Sequence, residues 1–307
     1  MKRRIIQQKS AYTVTLPVDW ARAHNINAKD EVEVQEEADT LVIRTEKKPK
    51  TEEINLKLEK STPDYYRIMI ENHYLKGYDK LNVTFEDKKA IKYVQEVVAN
   101  LIGFEIVQQK ENKCRIAATT TPSAEEFKTL LSRCFNIITY TQSKVKEDIE
   151  KNSFNNLNEI EAQSKDARRF LLFCTRAMHK SSVVSRREES FLHLLLERMI
   201  LIEHNHYYLY IKISKLKKQS IRREVKELYS KVAEMFLLFK QMFYKKDIKN
   251  FAKINEYWDE IYFEQGQKLL TKCTEAESII IYHSMHLSKL MFLIAQPNLT
   301  MQKIEEI

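Results

Sequence analysis

The sequence predicts an α+β chain that is mostly α, built as a hairpin-rich β unit, a small α/β unit and a long helical region. Three observations carry this. Short apolar stretches with strand character fill residues 3–45. Strand and helix signals then alternate through residues 53–120. From Ser123 onward the apolar positions keep the 3.6-residue spacing of a helix, in a chain whose only glycines are Gly77, Gly103 and Gly266.

Within the first part, Arg3-Arg4-Ile5-Ile6, Tyr12 to Ala21, Asp30-Glu31-Val32-Glu33-Val34 and Leu41-Val42-Ile43 read as strand, strand with one short helical turn, strand and strand. Pro17 suits the first helical position, where it loses no hydrogen bond, and Trp20 packs onto the hairpins. A unit of about forty residues buries too little apolar surface to fold alone, and usually needs a metal, a disulfide or a partner. No cysteine precedes Cys114, so the expectation is an interleaved homodimer. This first domain spans 1–48, closing at the charged link Lys47-Lys48-Pro49-Lys50.

The second unit, 52–121, has the predicted order β-α-β-α-β-β. Ile54, Leu56 and Leu58 alternate; Pro63–Lys76 is helical; Leu81-Asn82-Val83 is a short strand. Ile91, Val94, Val97, Val98 and Leu101 lie at helical spacing, and Glu105–Gln109 with Cys114–Ala118 form a hairpin across Glu111-Asn112.

Residues 122–297 predict six helices in two three-helix halves, followed by a tail, 298–307. Ser123 with Glu126 forms a capping box, and Phe127, Leu131, Cys134, Ile138, Val145 and Ile149 form one stripe. Leu157 to Met178 carries the second helix. Ser185 starts the third, Ser220 the fourth, Asp247 the fifth and Thr274 the last.

The formal charge of +8 suits a polyanion partner. Four separated cysteines without a CxxC pair suggest a reduced, intracellular chain without structural zinc. The N-terminus lacks a signal-peptide core, and no run approaches ~18 continuous apolar residues, so a cytoplasmic protein without a membrane span is expected. Phosphate-loop, nucleophile-elbow, dinucleotide and HExxH motifs are absent, which predicts a non-enzyme.

The run Tyr12-x-Val14-x-Leu16-Pro17-x-x-Trp20-Ala21, with Asp30-x-Val32-x-Val34 and Leu41-Val42-Ile43, resembles the AbrB/SpoVT/MazE swapped-hairpin DNA-binding domain. The chain is most similar to archaeal PhoU-like phosphate-uptake regulators that open with it. Gly77-Tyr78-Asp79-Lys80-Leu81, Gly103 to Val107 and the helices of 123–295 extend that resemblance. It implies an N-terminal swapped-hairpin β-barrel, a PhoU-like six-helix region and transcriptional regulation through DNA. The other reading is a signalling adaptor for a phosphate-transporter ATPase or kinase, with the N-terminal domain serving dimerisation alone. The chain departs from the family at the hinge, where Lys9-Ser10 stands for glycine and Tyr12-Thr13 for arginine.

Candidate DNA contacts are Lys2, Arg3, Arg4 and Lys9, with Arg22 and Arg44 as further phosphate ligands and Thr13 and Thr15 as hydroxyl donors. PhoU proteins hold metal clusters through E(D)xxxD motifs. Here Arg168 stands where a key aspartate would, while Asn255-x-x-x-Asp259 and Glu256-x-x-x-Glu260 keep the spacing. Glu256, Asp259 and Glu260 are thus the candidate ligands for a divalent metal. His204-x-His206 does not share a helical face. His283-x-x-His286 does, within an apolar stripe that favours a core role. Lys212–Lys226, with seven positive residues and one negative, joins the helical halves and reads as a solvated turn, the other reading being a contact for phosphate, nucleic acid or an acidic protein.

Overall fold

In a computed structural model the chain is described over residues 2–37, 40–45, 51–59, 62–180, 183–184, 186–217 and 220–299. It divides into two compact units, Met1–Ile54 and Asn55–Ile307.

In the first unit, β1 (Ile6–Gln8) pairs antiparallel with β2 (Ala11–Thr13), and β3 (Glu33–Glu37) with β4 (Thr40–Arg44); α1 (Val18–Ala23) lies between them in sequence. The β1–β2 turn is Lys9-Ser10, with Lys9 at φ 53°, a left-handed conformation that glycine adopts more readily. Two expectations shift. β1 begins at Ile6, so Arg3 and Arg4 precede the strand. Pro17 is the N-cap rather than the first helical residue, because its ψ of 128° is extended; its carbonyl accepts from Ala21 N at 3.0 Å.

The second unit begins with a four-stranded sheet of order β5-β6-β8-β7, made of β5 (Glu53–Leu58), β6 (Lys80–Phe85), β7 (Phe104–Lys110) and β8 (Lys113–Ala118). Helices α2 (Pro63–Leu75) and α3 (Ala90–Ala99) follow β5 and β6. Period-two residues Leu56, Leu58, Leu81, Val83, Phe85, Cys114 and Ile116 are buried on one face. Ile70 and Tyr74 of α2 and Val94 and Val98 of α3 are buried with them. Gly103 sits at φ 78° at the entrance to β7, where a Cβ would lie 2.6 Å from Thr120 Oγ1.

The helical region comprises α4 (Ala124–Lys151), α5 (Leu157–Lys180), α6 (Arg186–Ile213), α7 (Arg223–Lys245), α8 (Asn250–Asp259), α9 (Gly266–Leu270) and α10 (Glu275–Asn298). A π-helical turn, Glu260–Gln265, joins α8 to α9, making a single interrupted run. A Cβ at Gly266 would meet Ile261 O at 2.2 Å, so the chain closes on itself there. The capping box forms at Ser123: its Oγ accepts from Glu126 N at 3.2 Å, and the Glu126 carboxylate accepts from Ser123 N at 2.9 Å. Ser185 lies outside the described residues. α7 starts at Arg223, not at Ser220, because the Glu277 carboxylate accepts from Arg222 N at 2.9 Å and makes Arg222 the N-cap.

The predicted α4 stripe is buried throughout, and Phe135 beside it packs against Phe236, Phe239 and Phe243 of α7. Helix α10 has the length and hydropathy of a membrane-crossing segment, with 56% of that stretch buried within the protein. Its Ile280, Ile281, Leu287 and Met291 are buried, so its hydropathy is accounted for as that of a core helix.

Arg176 of α5 joins the sheet region to the helices. It is buried, donates to Tyr74 O at 2.7 Å and lies 3.4 Å from Asp79, while its guanidinium covers the Tyr74 and Phe104 rings at 4.9 and 4.8 Å. Lys180 pairs with Asp79 at 2.8 Å, and His179 Nδ1 meets Leu75 O at 2.7 Å. These groups satisfy the carbonyl end of α2, where cations are favoured by the helix dipole. Replacing Arg176 by Met should lower stability by about 3 kcal/mol in urea unfolding, since it strips a buried donor and cation from this junction.

A polar layer crosses the helical core. Glu203 is fully buried with Thr141 Oγ1 donating at 3.0 Å, and His206 is buried with Tyr229 OH at 2.9 Å from its Nδ1. Burial pushes the Glu203 carboxyl up to about 8, the Thr141 bond opposing it. Burial, then the charge of His283, brings His206 down to about 3. The signs differ in consequence. Folded Glu203 holds its proton where the unfolded chain has lost it, so stability falls as pH rises from about 4.5 to 8. His206 contributes stability above its ordinary value of 6.5 that is lost as pH falls toward 3. Glu203→Gln should therefore reduce the fall in stability between about pH 5 and pH 8 by roughly 3 kcal/mol in denaturant titrations.

Candidate nucleic-acid interface

Among the described residues of the first unit, none is buried. Ile5, Tyr12 and Leu41 are 70%, 73% and 62% exposed, and Ile6, Val14, Val18 and Val34 are exposed as well. Leu16, Trp20, Val32, Val42 and Ile43 are half-buried, so the short strands share some apolar contact without closing a core. The Trp20 and His24 rings meet tilted at 36° with centroids 4.9 Å apart, and His24 Nδ1 meets Trp20 O at 2.9 Å, which orders α1 locally.

The predicted DNA contacts occupy this same unit. Lys2, Arg3 and Arg4 are exposed on the approach to β1, and Lys9 is exposed on the β1–β2 turn. Thr13 ends β2, Thr15 follows it, and Arg22 lies on α1, all exposed. Arg44 pairs with Glu33 in the β3–β4 register; its side chain lies outside the described residues. Four basic side chains thus precede or flank one hairpin that also carries exposed Ile5, Ile6 and Tyr12. Such a set can neutralise phosphates, while its apolar neighbours cover one another only when a second surface is supplied.

The other predicted sites fare differently. Glu256, Asp259 and Glu260 are not gathered as metal ligands. Lys253 takes Glu256 at 2.9 Å, Asn255 donates to Asp259 at 3.2 Å, and Lys231 of α7 pairs with Glu260, to which Gln265 also donates. Among the described residues no three His, Cys, Asp or Glu side chains are placed to hold a metal ion. Glu256 and Asp259 are met by donors one turn away on their own helix and Glu260 by Lys231 of α7, so the i,i+4 spacing by itself does not bring the three together. Asn205 lies between His283 and His286, its amide 2.7 Å from His286 Nδ1, which uses that pair in internal hydrogen bonding.

The basic segment Lys212–Lys226 is more than a solvated turn. Arg222 donates to Glu277 at 2.8 Å and to Lys272 O at 2.7 Å, and Lys226 donates to Glu150 O at 2.7 Å. Burial opposes the Glu277 charge, but the bonds from Arg222 and from backbone N–H groups outweigh it and bring this carboxyl down to about 2. The segment ties the start of α7 to the ends of neighbouring helices.

Comparison with known proteins places one part of the chain. Residues 5–51 match the family described as Antidote-toxin recognition MazE, bacterial antitoxin. No curated protein and no solved structure matches the chain. The chain therefore opens with a domain of the MazE and AbrB type, followed by a mostly helical unit with its own small sheet.

If the exposed apolar residues meet across two copies, charge placed among them must separate the copies. Val34→Asp and Leu41→Asp should each convert a dimer to a monomer in light scattering at micromolar concentration, leaving the helical unit folded by circular dichroism.

Proposed function

We propose that the protein is a DNA-binding transcriptional regulator that acts as a dimer through its N-terminal domain, with the helical unit receiving a signal or partner. The carrying observation is the N-terminal unit itself: exposed Ile5, Ile6, Tyr12, Val34 and Leu41 interspersed with Lys2, Arg3, Arg4 and Lys9, with no described side chain buried, in a segment similar to the MazE family. Burial of the apolar set against a second copy aligns two basic hairpins, and paired basic sets suit the repeating phosphates of a duplex. The finer reading, that the regulated process is phosphate uptake, is supported by the resemblance of the middle and helical segments to PhoU-like regulators. Signal transfer would require a ligand that favours one arrangement of the two copies over another.

The matched family's description supports a second reading, an antitoxin in which the helical unit holds a toxin while the N-terminal domain binds DNA. The two readings share the DNA step and differ in the cargo of the helices. Purification of the tagged chain from its native cells separates them: an antitoxin returns a stoichiometric second protein that arrests growth when expressed without it, and a regulator returns none with that effect.

DNA binding is tested by fluorescence anisotropy on DNA recovered from cells with the protein. Affinity should fall steeply with added salt. The Arg3→Ala/Arg4→Ala double variant should bind about tenfold more weakly with a shallower salt slope. Binding that is absent at low salt, from a confirmed dimer, refutes the regulator and leaves the domain a dimerisation module.

A further inference from the structure

A cavity of about 290 Å³ opens within the second unit where α2 and α3 face α5. Tyr93, Val97 and Leu172 give it apolar walls, and Arg67, Lys165, Arg168 and Arg169 bring four cations to it. Pockets of this size, apolar with a few convergent polar groups at the junction of two substructures, are ordinary places for small ligands.

The pairing within the cavity is uneven. Glu71 is nearly buried and is held from both sides, by Arg168 at 2.5 Å and Arg67 at 3.1 Å, and Arg67 also takes Asp64 at 2.9 Å. Lys165 has Glu161 at 2.6 Å and is largely exposed. Glu96 is the remaining acid on the wall. Arg169 stands apart. Its ion pair with Asp166 spans 3.9 Å, beyond hydrogen-bond reach, and its buried Nε has no hydrogen-bond partner. The Arg169 side chain is 38% exposed and its guanidinium lies over the Phe170 ring at 5.3 Å, so its terminal N–H groups are not committed to a short ion pair. The local field has the matching sign. Burial first, then the charges of Arg168 and Arg67, bring nearby His204 down to about 4.

Tyr93 stacks on Tyr66 with centroids 6.0 Å apart and planes at 19°, which holds its ring as a flat wall. We propose that the cavity binds a small amphipathic anion, a molecule with a ring-sized apolar body and one carboxylate or phosphate, its oxyanion on Arg169 and its body against Tyr93, Val97 and Leu172. A guanidinium suits this task because its planar fork meets two oxygens of such a group at once. A bound anion would bridge α3 to α5 beside the Glu71–Arg168 pair that joins α2 to α5. The site does not depend on DNA binding, so loss of either property leaves the other standing.

The test uses the full chain and ligand-observed NMR with five probes: benzoate, phenyl phosphate, their neutral counterparts benzamide and phenol, and inorganic phosphate. Saturable binding of benzoate or phenyl phosphate is expected, and whichever binds more tightly identifies the anionic group. The neutral molecules and inorganic phosphate should bind about tenfold or more weakly. Arg169→Met should weaken the favoured anion by about tenfold, and Arg169→Lys should restore part of it, with circular dichroism and melting unchanged in both. Failure of both anions to saturate by about 10 mM overturns the proposal. So does equal binding by Arg169→Met, or equal binding of the neutral counterparts.

Discussion

The N-terminal unit is governed by an apolar surface with nowhere to go. Strand-forming residues such as Ile6, Tyr12, Val34 and Leu41 are placed on short ladders too small to enclose them, and no described side chain there is buried. Such a surface is stabilised by removal from water, and a second copy presents the same shape and chemistry. Placing Lys2, Arg3, Arg4 and Lys9 around it means that the act of closing a core also assembles a positive face. In the proposed reading, dimerisation and polyanion binding have one physical origin.

The second unit solves its folding problem differently. Its sheet has one buried face, and the helical region has an extensive core around Phe135 and its α7 neighbours. What holds sheet and helices together is the set of α5 cations that reaches the carbonyl end of α2 and Asp79. Polar and aromatic groups serve there because a helix end presents carbonyls that apolar packing alone would leave unpaired. The same α5 also supplies Lys165, Arg168 and Arg169, so one helix both fastens the α/β segment and furnishes three of the four cations of the neighbouring cavity.

Polar groups inside the helical core introduce a counterweight. Glu203 and His206 are buried where neither charge is well supported, and their pH responses run in opposite directions. Together these two groups weigh least against the fold between about pH 4.5 and 6.5, the ordinary values of a free carboxyl and imidazole. Stability of that kind reflects the interior and leaves the exposed N-terminal cations untouched.

Much of the architecture was legible because it rests on periodicity. Period two in Leu56, Leu58, Leu81 and Val83, and the 3.6-residue stripe from Phe127 to Ile149, record which side of each element loses water. The Ser123 capping box was legible because its partners are three residues apart. Element ends were less so: β1 starts past Arg3, Pro17 caps rather than opens α1, and α7 waits for Arg222, whose position is set by Glu277 from a distant stretch of chain. Side-chain partnerships were least legible of all. The spacing of Glu256 and Glu260 predicted shared ligation, yet Lys253 and Lys231 divide them. By itself, then, the sequence determined the β, α/β and α order, the buried stripes and the small size of the first hairpins, whose described side chains are nowhere buried, all consequences of local pattern and surface area. Only the tertiary structure decided the pairs made between helices, Lys231 with Glu260 and Arg168 with Glu71, and that Arg169 stands beside a cavity, because such pairing depends on which helices come within a few ångströms of each other.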